Sequence, residues 1–158
     1  MFVGNSQTKI DSKGRVLISK KYIDKIRLEE NEVVFILHRG FHKHCLFLYT
    51  AKSWSKHLKP LLKTLRANDA TKQNALRNYL AAAEEIRPDN SNRLTLRKDL
   101  LESAGLEKDV ILAGVDNRLE LWDKARYESA VPTTDVHSLD SDFDTLMDRG
   151  GERSRESK

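Results

Sequence analysis

Val16 and Ile18, and again Leu94 and Leu96, stand at alternate positions in two short stretches, the period of a strand that buries one face and wets the other. Each stretch follows a polar turn, Asp11-Ser12-Lys13-Gly14-Arg15 and Asp89-Asn90-Ser91-Asn92-Arg93. Gly14 suits the positive φ of a tight connection, and Asn92 is the non-glycine residue that best tolerates it. Downstream of the first stretch, Tyr22, Ile23 and Ile26 mark a short helix for which Ser19 is the expected cap. Val33 to Leu37 and Leu46 to Tyr49 then read as two apolar strands around a polar turn, and Val110 to Val115 with Leu119 to Trp122 repeat that hairpin. Between the two sets, Trp54, Leu58, Leu61, Leu62 and Leu65 recur at helical spacing, as do Leu76, Tyr79, Leu80 and Ala83 after Asn68-Asp69. Two linking helices are expected, with Pro60 a kink in the first. Beyond Pro132 the chain turns polar, with a short amphipathic turn around Leu139, Phe143, Leu146 and Met147 and a disordered end from Arg149 to Lys158.

The two sets are copies of one unit. Ile10 to Ile23 aligns without gaps to Pro88 to Leu101, pairing Asp11 with Asp89 and Arg15 with Arg93. The same register sets Ile26 against Ala104, Leu28 against Leu106, Glu29 against Glu107, and Val33-Val34 against Ile111-Leu112. After a shorter loop in the second copy, Leu46 to Tyr49 meets Leu119 to Trp122, with Trp54 opposite Tyr127. The expected organisation is a first repeat over 1–60, a linking helical segment over 61–83, a second repeat over 84–131 and an acidic tail over 132–158.

Charge divides these segments. The net charge of +4 resolves into 12 Lys and Arg against 5 Asp and Glu in residues 1–60, and 4 against 1 in residues 61–83. Residues 84–131 carry 8 against 11, and residues 132–158 carry 4 against 7. A basic first half suits a polyanion such as nucleic acid, although a basic run can equally be a solvated face. No apolar run nears the roughly 20 residues of a membrane helix, and the Met1-Phe2-Val3-Gly4-Asn5 start lacks the features of a secretory signal, so a cytoplasmic home is expected. With Cys45 the only cysteine, no disulfide can form within the chain.

His38, His42, His44 and Cys45 cluster as conceivable metal ligands, but their spacing fits no common zinc module, and Cys45 reads as a small buried hydrophobe at a strand start. No metal or cofactor is expected. The chain has no G-x-S-x-G, H-E-x-x-H, Walker A or G-x-G-x-x-G motif. Glu84-Glu85 has no evident partner base, and Asp140-x-Asp142-x-Asp144 lacks the glycine and glutamate of a calcium loop, so an enzyme acting on a small-molecule substrate is not expected.

Met1-Phe2-x-Gly4, Ile10 to Arg15, Cys45 to Tyr49, Ala104 to Val110 and the run Gly114-Val115-x-Asn117-Arg118-x-Glu120-x-Trp122 together resemble the MraZ family over about residues 1–131. The resemblance implies an α+β fold: two β-α-β units interlaced as the swapped-hairpin barrel of AbrB-like proteins, both supplied by one chain. It also implies a ring-shaped homo-oligomer, associated with the nucleoid, that binds tandem repeats in double-stranded DNA upstream of the division and cell-wall genes and regulates its own operon. On that reading Arg15 reads a base edge while Lys13 and Lys9 hold phosphate, with Arg93 and Asn90 as the second turn's weaker candidates. Asp11 and Arg15 can also pair simply to shape the turn; that structural role falls to Asp11, Gly14 and Asp89. Lys9, Lys13, Lys20 and Lys21 flank the first turn, whereas Glu84, Glu85 and Asp99 surround the second, so the first is expected to dominate DNA contact while the second chiefly completes the barrel. The alternative is a ring-forming protein-interaction module or an antitoxin-like regulator that never touches a promoter.

Overall fold

Alternating apolar positions close over one another from both copies. The computed structural model describes residues 1–40, 44–64, 69–132 and 136–148; His42, Leu65, Asn68 and the segment from Arg149 onward lie outside them. The first copy contributes β1 (Asn5–Lys9), β2 (Arg15–Leu17), α1 (Lys20–Glu30), β3 (Phe35–Arg39) and β4 (Cys45–Thr50). Two helices, α2 (Ala51–Thr64) and α3 (Ala70–Ala81), lead to the second copy: β5 (Ala83–Ile86), β6 (Arg93–Thr95), α4 (Lys98–Ser103), β7 (Asp109–Val115) and β8 (Arg118–Asp123). Then follow α5 (Lys124–Ala130) and α6 (Val136–Met147), and the chain divides into units of residues 1–127 and 128–158.

The fold is α+β, with six strands in one antiparallel sheet of order β1-β7-β8-β4-β3-β5 and a separate two-stranded ribbon, β2 with β6. The sheet does not close on itself among the described residues: β1 and β5 are its edges. The copies exchange strands. β1 of the first pairs with β7 of the second, and β5 of the second pairs with β3 of the first. In the ribbon Val16 lies opposite Leu94, its own counterpart 78 positions on, and in the sheet Phe47 lies opposite its counterpart Glu120. A pseudo-twofold axis therefore passes through both pairs. Val16, Ile18, Leu94 and Leu96 are all buried in a core shared with Leu46, Leu48, Leu119 and Leu121 of the central strands.

The ungapped register of the copies fails after the helix. The edge pairings Lys9 with Asp109 and Ile86 with Phe35 bring β3 and β7 into correspondence 75 positions apart, not 78, because α1 has 11 residues and α4 only 6. Leu28 is consequently no counterpart of Leu106: it is 88% exposed on α1 while Leu106 sits in the core. Ser19 does occupy the cap position of α1, but its side chain makes no capping bond. Side-chain caps form instead at Asp69, which accepts from the backbone N–H groups of Thr71 and Lys72 ahead of α3, at Thr50, whose hydroxyl accepts from Ser53 N–H at 3.1 Å, and at Asp123, which accepts from Arg126 N–H at 3.4 Å ahead of α5. α2 continues through Pro60, which has no N–H to offer the preceding turn.

A second cluster, Cys45, Phe47 and Tyr49 with Ile36, Trp54 and Trp122, covers the outer face of the sheet and anchors the helices. His57 Nε2 is 2.7 Å from the Tyr79 hydroxyl, and His38 Nε2 donates to the Tyr79 carbonyl at 3.1 Å. His44 Nδ1 contacts the Arg126 guanidinium. Burial foremost, with the nearby Glu120 carboxylate, pushes the Cys45 thiol up to about 12. His38 and Cys45 thus hold the helices and the sheet together, and no group of three or more metal-binding side chains occurs among the described residues.

Candidate nucleic-acid interface

The D-x-x-x-R spacing is the reach of one carboxylate around one turn. Asp11 Oδ1 accepts from the backbone N–H groups of Lys13 and Arg15, both at 2.9 Å, and Oδ2 accepts from Arg15 Nε at 2.7 Å. Asp89 repeats the pattern with Ser91 N, Arg93 N and Arg93 Nε at 2.8, 3.0 and 3.1 Å. Gly14 N–H and Asn92 N–H close the two turns onto the Asp11 and Asp89 carbonyls at 3.0 Å, and both residues take positive φ, 76° and 61°. Each turn is also stitched to the other copy: Leu96 N–H donates to the Gly14 carbonyl and Ile18 N–H to the Asn92 carbonyl, both at 2.8 Å.

The Arg15 backbone N–H, foremost, holds the Asp11 carboxyl below its ordinary value of 3.8, and Arg93 N–H does the same for Asp89. A lowered folded-state value stabilises the turn above the unfolded value, and that contribution is lost as pH falls through the folded one. Both turns should therefore hold full strength at pH 5 and above and weaken below about 3.8. Thermal melts from pH 6 to pH 2.5 test this: Asp11→Asn should flatten part of the acid limb, and an acid limb identical to that of the parent chain would refute the role given to Asp11.

Because Val16 and Leu94 point into the core, their neighbours must point out. The outer face of the ribbon carries Arg15 opposite Thr95 and Leu17 opposite Arg93. Leu17 is 50% exposed, and the Arg15 and Arg93 side chains are 29% and 34% exposed. Among the described residues both guanidiniums bond their aspartates through Nε, so the terminal Nη groups remain for an outside acceptor. Lys13 is exposed in the first turn, Lys9 is exposed at the end of β1 opposite Asp109, and Asn90 is exposed in the second turn. Of the other lysines near the first turn, Lys20 is paired with Asp24 at 2.6 Å and Lys21 lies 4.6 Å from the centroid of the Tyr22 ring. Near the second turn Arg97 is taken up by Glu84 and Asp99. Sequence reasoning missed Leu17 and Thr95, although the alternation that buries Val16 and Leu94 already turns them outward.

A family model described as "MraZ protein, putative antitoxin-like" matches residues 1–78 and again 79–150. The chain is 38% identical over 129 residues to a protein of Acetivibrio thermocellus named transcriptional regulator MraZ, covering 82% of this chain and 85% of that protein. Proteins of the same name from Caldanaerobacter subterraneus subsp. tengcongensis and Pediococcus pentosaceus are 38% and 33% identical, covering 86% and 95% of this chain and 90% and 99% of theirs. With both copies of the unit matched and most of each relative's length covered, the chain belongs to the MraZ family.

Proposed function

We propose that the chain is a sequence-specific, double-stranded DNA-binding transcriptional regulator that presents the β2–β6 ribbon to the major groove. The observation that carries this is the outward face of that ribbon, where two guanidiniums with free Nη groups stand related by the pseudo-twofold axis. A two-stranded ribbon fits a major groove about 12 Å wide, and a guanidinium donates two bonds to guanine O6 and N7. Arg15 reads a base, with Arg93 its weaker counterpart; exposed Leu17 offers an apolar contact to a thymine methyl. Lys13, Lys9 and Asn90 contact the backbone, while Asp11, Gly14 and Asp89 shape the turns. The names of the relatives support transcriptional regulation. The strand exchange supports the swapped-hairpin, barrel-like arrangement of AbrB type, with repeats over 1–60 and 84–131, a linking segment over 61–83 and a tail over 132–158. The site is read as the tandem repeats ahead of the division and cell-wall genes, including the chain's own operon, bound at the nucleoid in the cytoplasm without catalysis or cofactor. Fluorescence anisotropy with a duplex carrying those repeats should give an affinity that falls steeply from 50 to 200 mM salt. An affinity indifferent to salt would overturn the reading and favour a protein-interaction module.

A ring-shaped homo-oligomer gains support from α6, whose Leu139, Phe143, Leu146 and Met147 form an exposed apolar row. Truncation after Val131 should lower the mass seen by light scattering; an unchanged mass would remove α6 from the assembly. Identical turns on a ring would meet successive repeats at high effective concentration.

A further inference from the structure

Beside the first turn lies an open cleft of about 640 Å³, floored by Ile10, Leu96 and Leu101 and rimmed by Lys13, Lys98 and Lys108. Lys13 belongs to the turn, but Lys98 and Lys108 come from the second copy, more than 80 residues downstream. Backbone bonds hold them there. Ile10 N–H donates to the Lys108 carbonyl at 2.9 Å, and Leu96 N–H, at the strand end leading to Lys98, donates to Gly14. All three lysines are exposed, and the nearest carboxylate partner of Lys98, Glu102, is 3.9 Å away. Asp11 and Glu107 complete the charges of the cleft; Asp11 is committed to Lys13 and Arg15 within the turn.

We propose that Lys98 and Lys108 are DNA-contacting residues that grip the phosphate backbone flanking the first turn, so that the interface is assembled from both copies. This rests on the DNA-binding reading above. The charge pattern distinguishes a clamp from an ordinary solvated surface, because the pseudo-twofold axis supplies an internal control. The counterparts of Lys13, Lys98 and Lys108 beside the second turn are Ser91, Lys20 and Val33, by the correspondence of 78 positions at the turns and 75 at β3 and β7. Val33 is buried, and Lys20 is held by Asp24 at 2.6 Å. Pro88, the counterpart of Ile10, has no N–H with which to tie itself to Val33. The turn geometry thus occurs twice, but three exposed lysines collect at only one of the two places, and among the described residues only Lys98 of the three is paired, loosely, with Glu102 at 3.9 Å. Three ammonium groups around a groove beside a base-reading arginine match a run of phosphates, which position a protein without carrying sequence information.

The test measures binding of the full chain to the tandem-repeat duplex and to a scrambled duplex as a function of salt. The Lys98→Ala, Lys108→Ala double variant should bind both duplexes more weakly by the same factor. Its plot of log affinity against log salt should be shallower by about 0.9 for each phosphate contact removed. Glu107→Gln should bind both more tightly, since it removes the carboxylate beside the lysines. Lys56→Ala, an equal loss of charge on exposed α2, should leave the slope unchanged. The clamp is overturned if the double variant keeps the parent slope, or if Lys56→Ala lowers it as much. If the parent chain itself binds neither duplex, the DNA-binding reading fails and the clamp fails with it.

Discussion

Gly14→Val should cost the fold about 3 kcal/mol or more, the largest loss expected from any single change at the turns. Gly14 holds φ at +76°, where a β-branched residue is strained, and a Cβ there would lie 2.7 Å from the Leu96 carbonyl oxygen. That oxygen is backbone and cannot swing aside as a side chain would. Leu96 cannot retreat either without breaking its own 2.8 Å bond to the Gly14 carbonyl, one of the links that join the two copies. At about 2–4 °C per kcal/mol for a chain of this size, the melting midpoint should fall by roughly 10 °C. Asn92→Gly is the opposite experiment: it relieves the left-handed strain at φ 61° and should leave the midpoint level or slightly raised. Circular-dichroism melts of both variants decide the matter, and a Gly14→Val midpoint within a degree or two of the parent would show that the first turn does not hold the ribbon.

Arg15→Ala should weaken binding to the tandem-repeat duplex by roughly 1–3 kcal/mol and relax base preference at one position. At 1.4 kcal/mol per tenfold, that is roughly 5- to 150-fold in affinity. Stability should hardly change, because Arg15 is partly exposed and the turn keeps its backbone bonds to Asp11. Arg15→Lys should not rescue binding: an ammonium carries the charge but not the planar pair of donors that guanine requires. Arg93→Ala should do less harm, since its surroundings carry Glu84, Glu85 and Asp99 rather than free lysines. An anisotropy titration in which the Arg15 and Arg93 variants both bind as the parent does would remove the ribbon from the interface.

The turns were legible in the sequence because they are local. One carboxylate, the amides two and four residues on, and a positive φ at Gly14 or Asn92 all lie within five residues. The duplication was legible for the same reason, and so was the burial of Val16 and Leu94. The length of α1 was not. Leu28 sits at a spacing that matches Leu106, and apolar spacing alone does not record that the first helix runs longer and turns this leucine to solvent. Ser19 illustrates a similar limit, since a capping residue type at the right position still requires a rotamer aimed at the helix. Lys98 and Lys108 were invisible as neighbours of Lys13 because only the pairing of β1 with β7 and the bonds across the ribbon bring them there. The charge tally assigned residues 84–131 a net negative balance and so hid the basic residues that the fold delivers to the other copy's turn.

Phe47 and Glu120 face each other on the pseudo-twofold axis. In an assembly of two identical chains, a residue on such an axis meets itself: two phenylalanines, or two carboxylates that repel. Covalent fusion of the halves removes that restriction. Here Arg118 lies 4.3 Å from the centroid of the Phe47 ring and donates to the Glu120 carboxylate at 2.7 Å, while Trp122 Nε1 donates to the other oxygen at 2.9 Å. This unlike arrangement is open to a heterodimer written as one polypeptide and closed to a homodimer. The same freedom lets one turn gather cations while its twin gathers carboxylates, so a nearly symmetric scaffold can present two unequal faces.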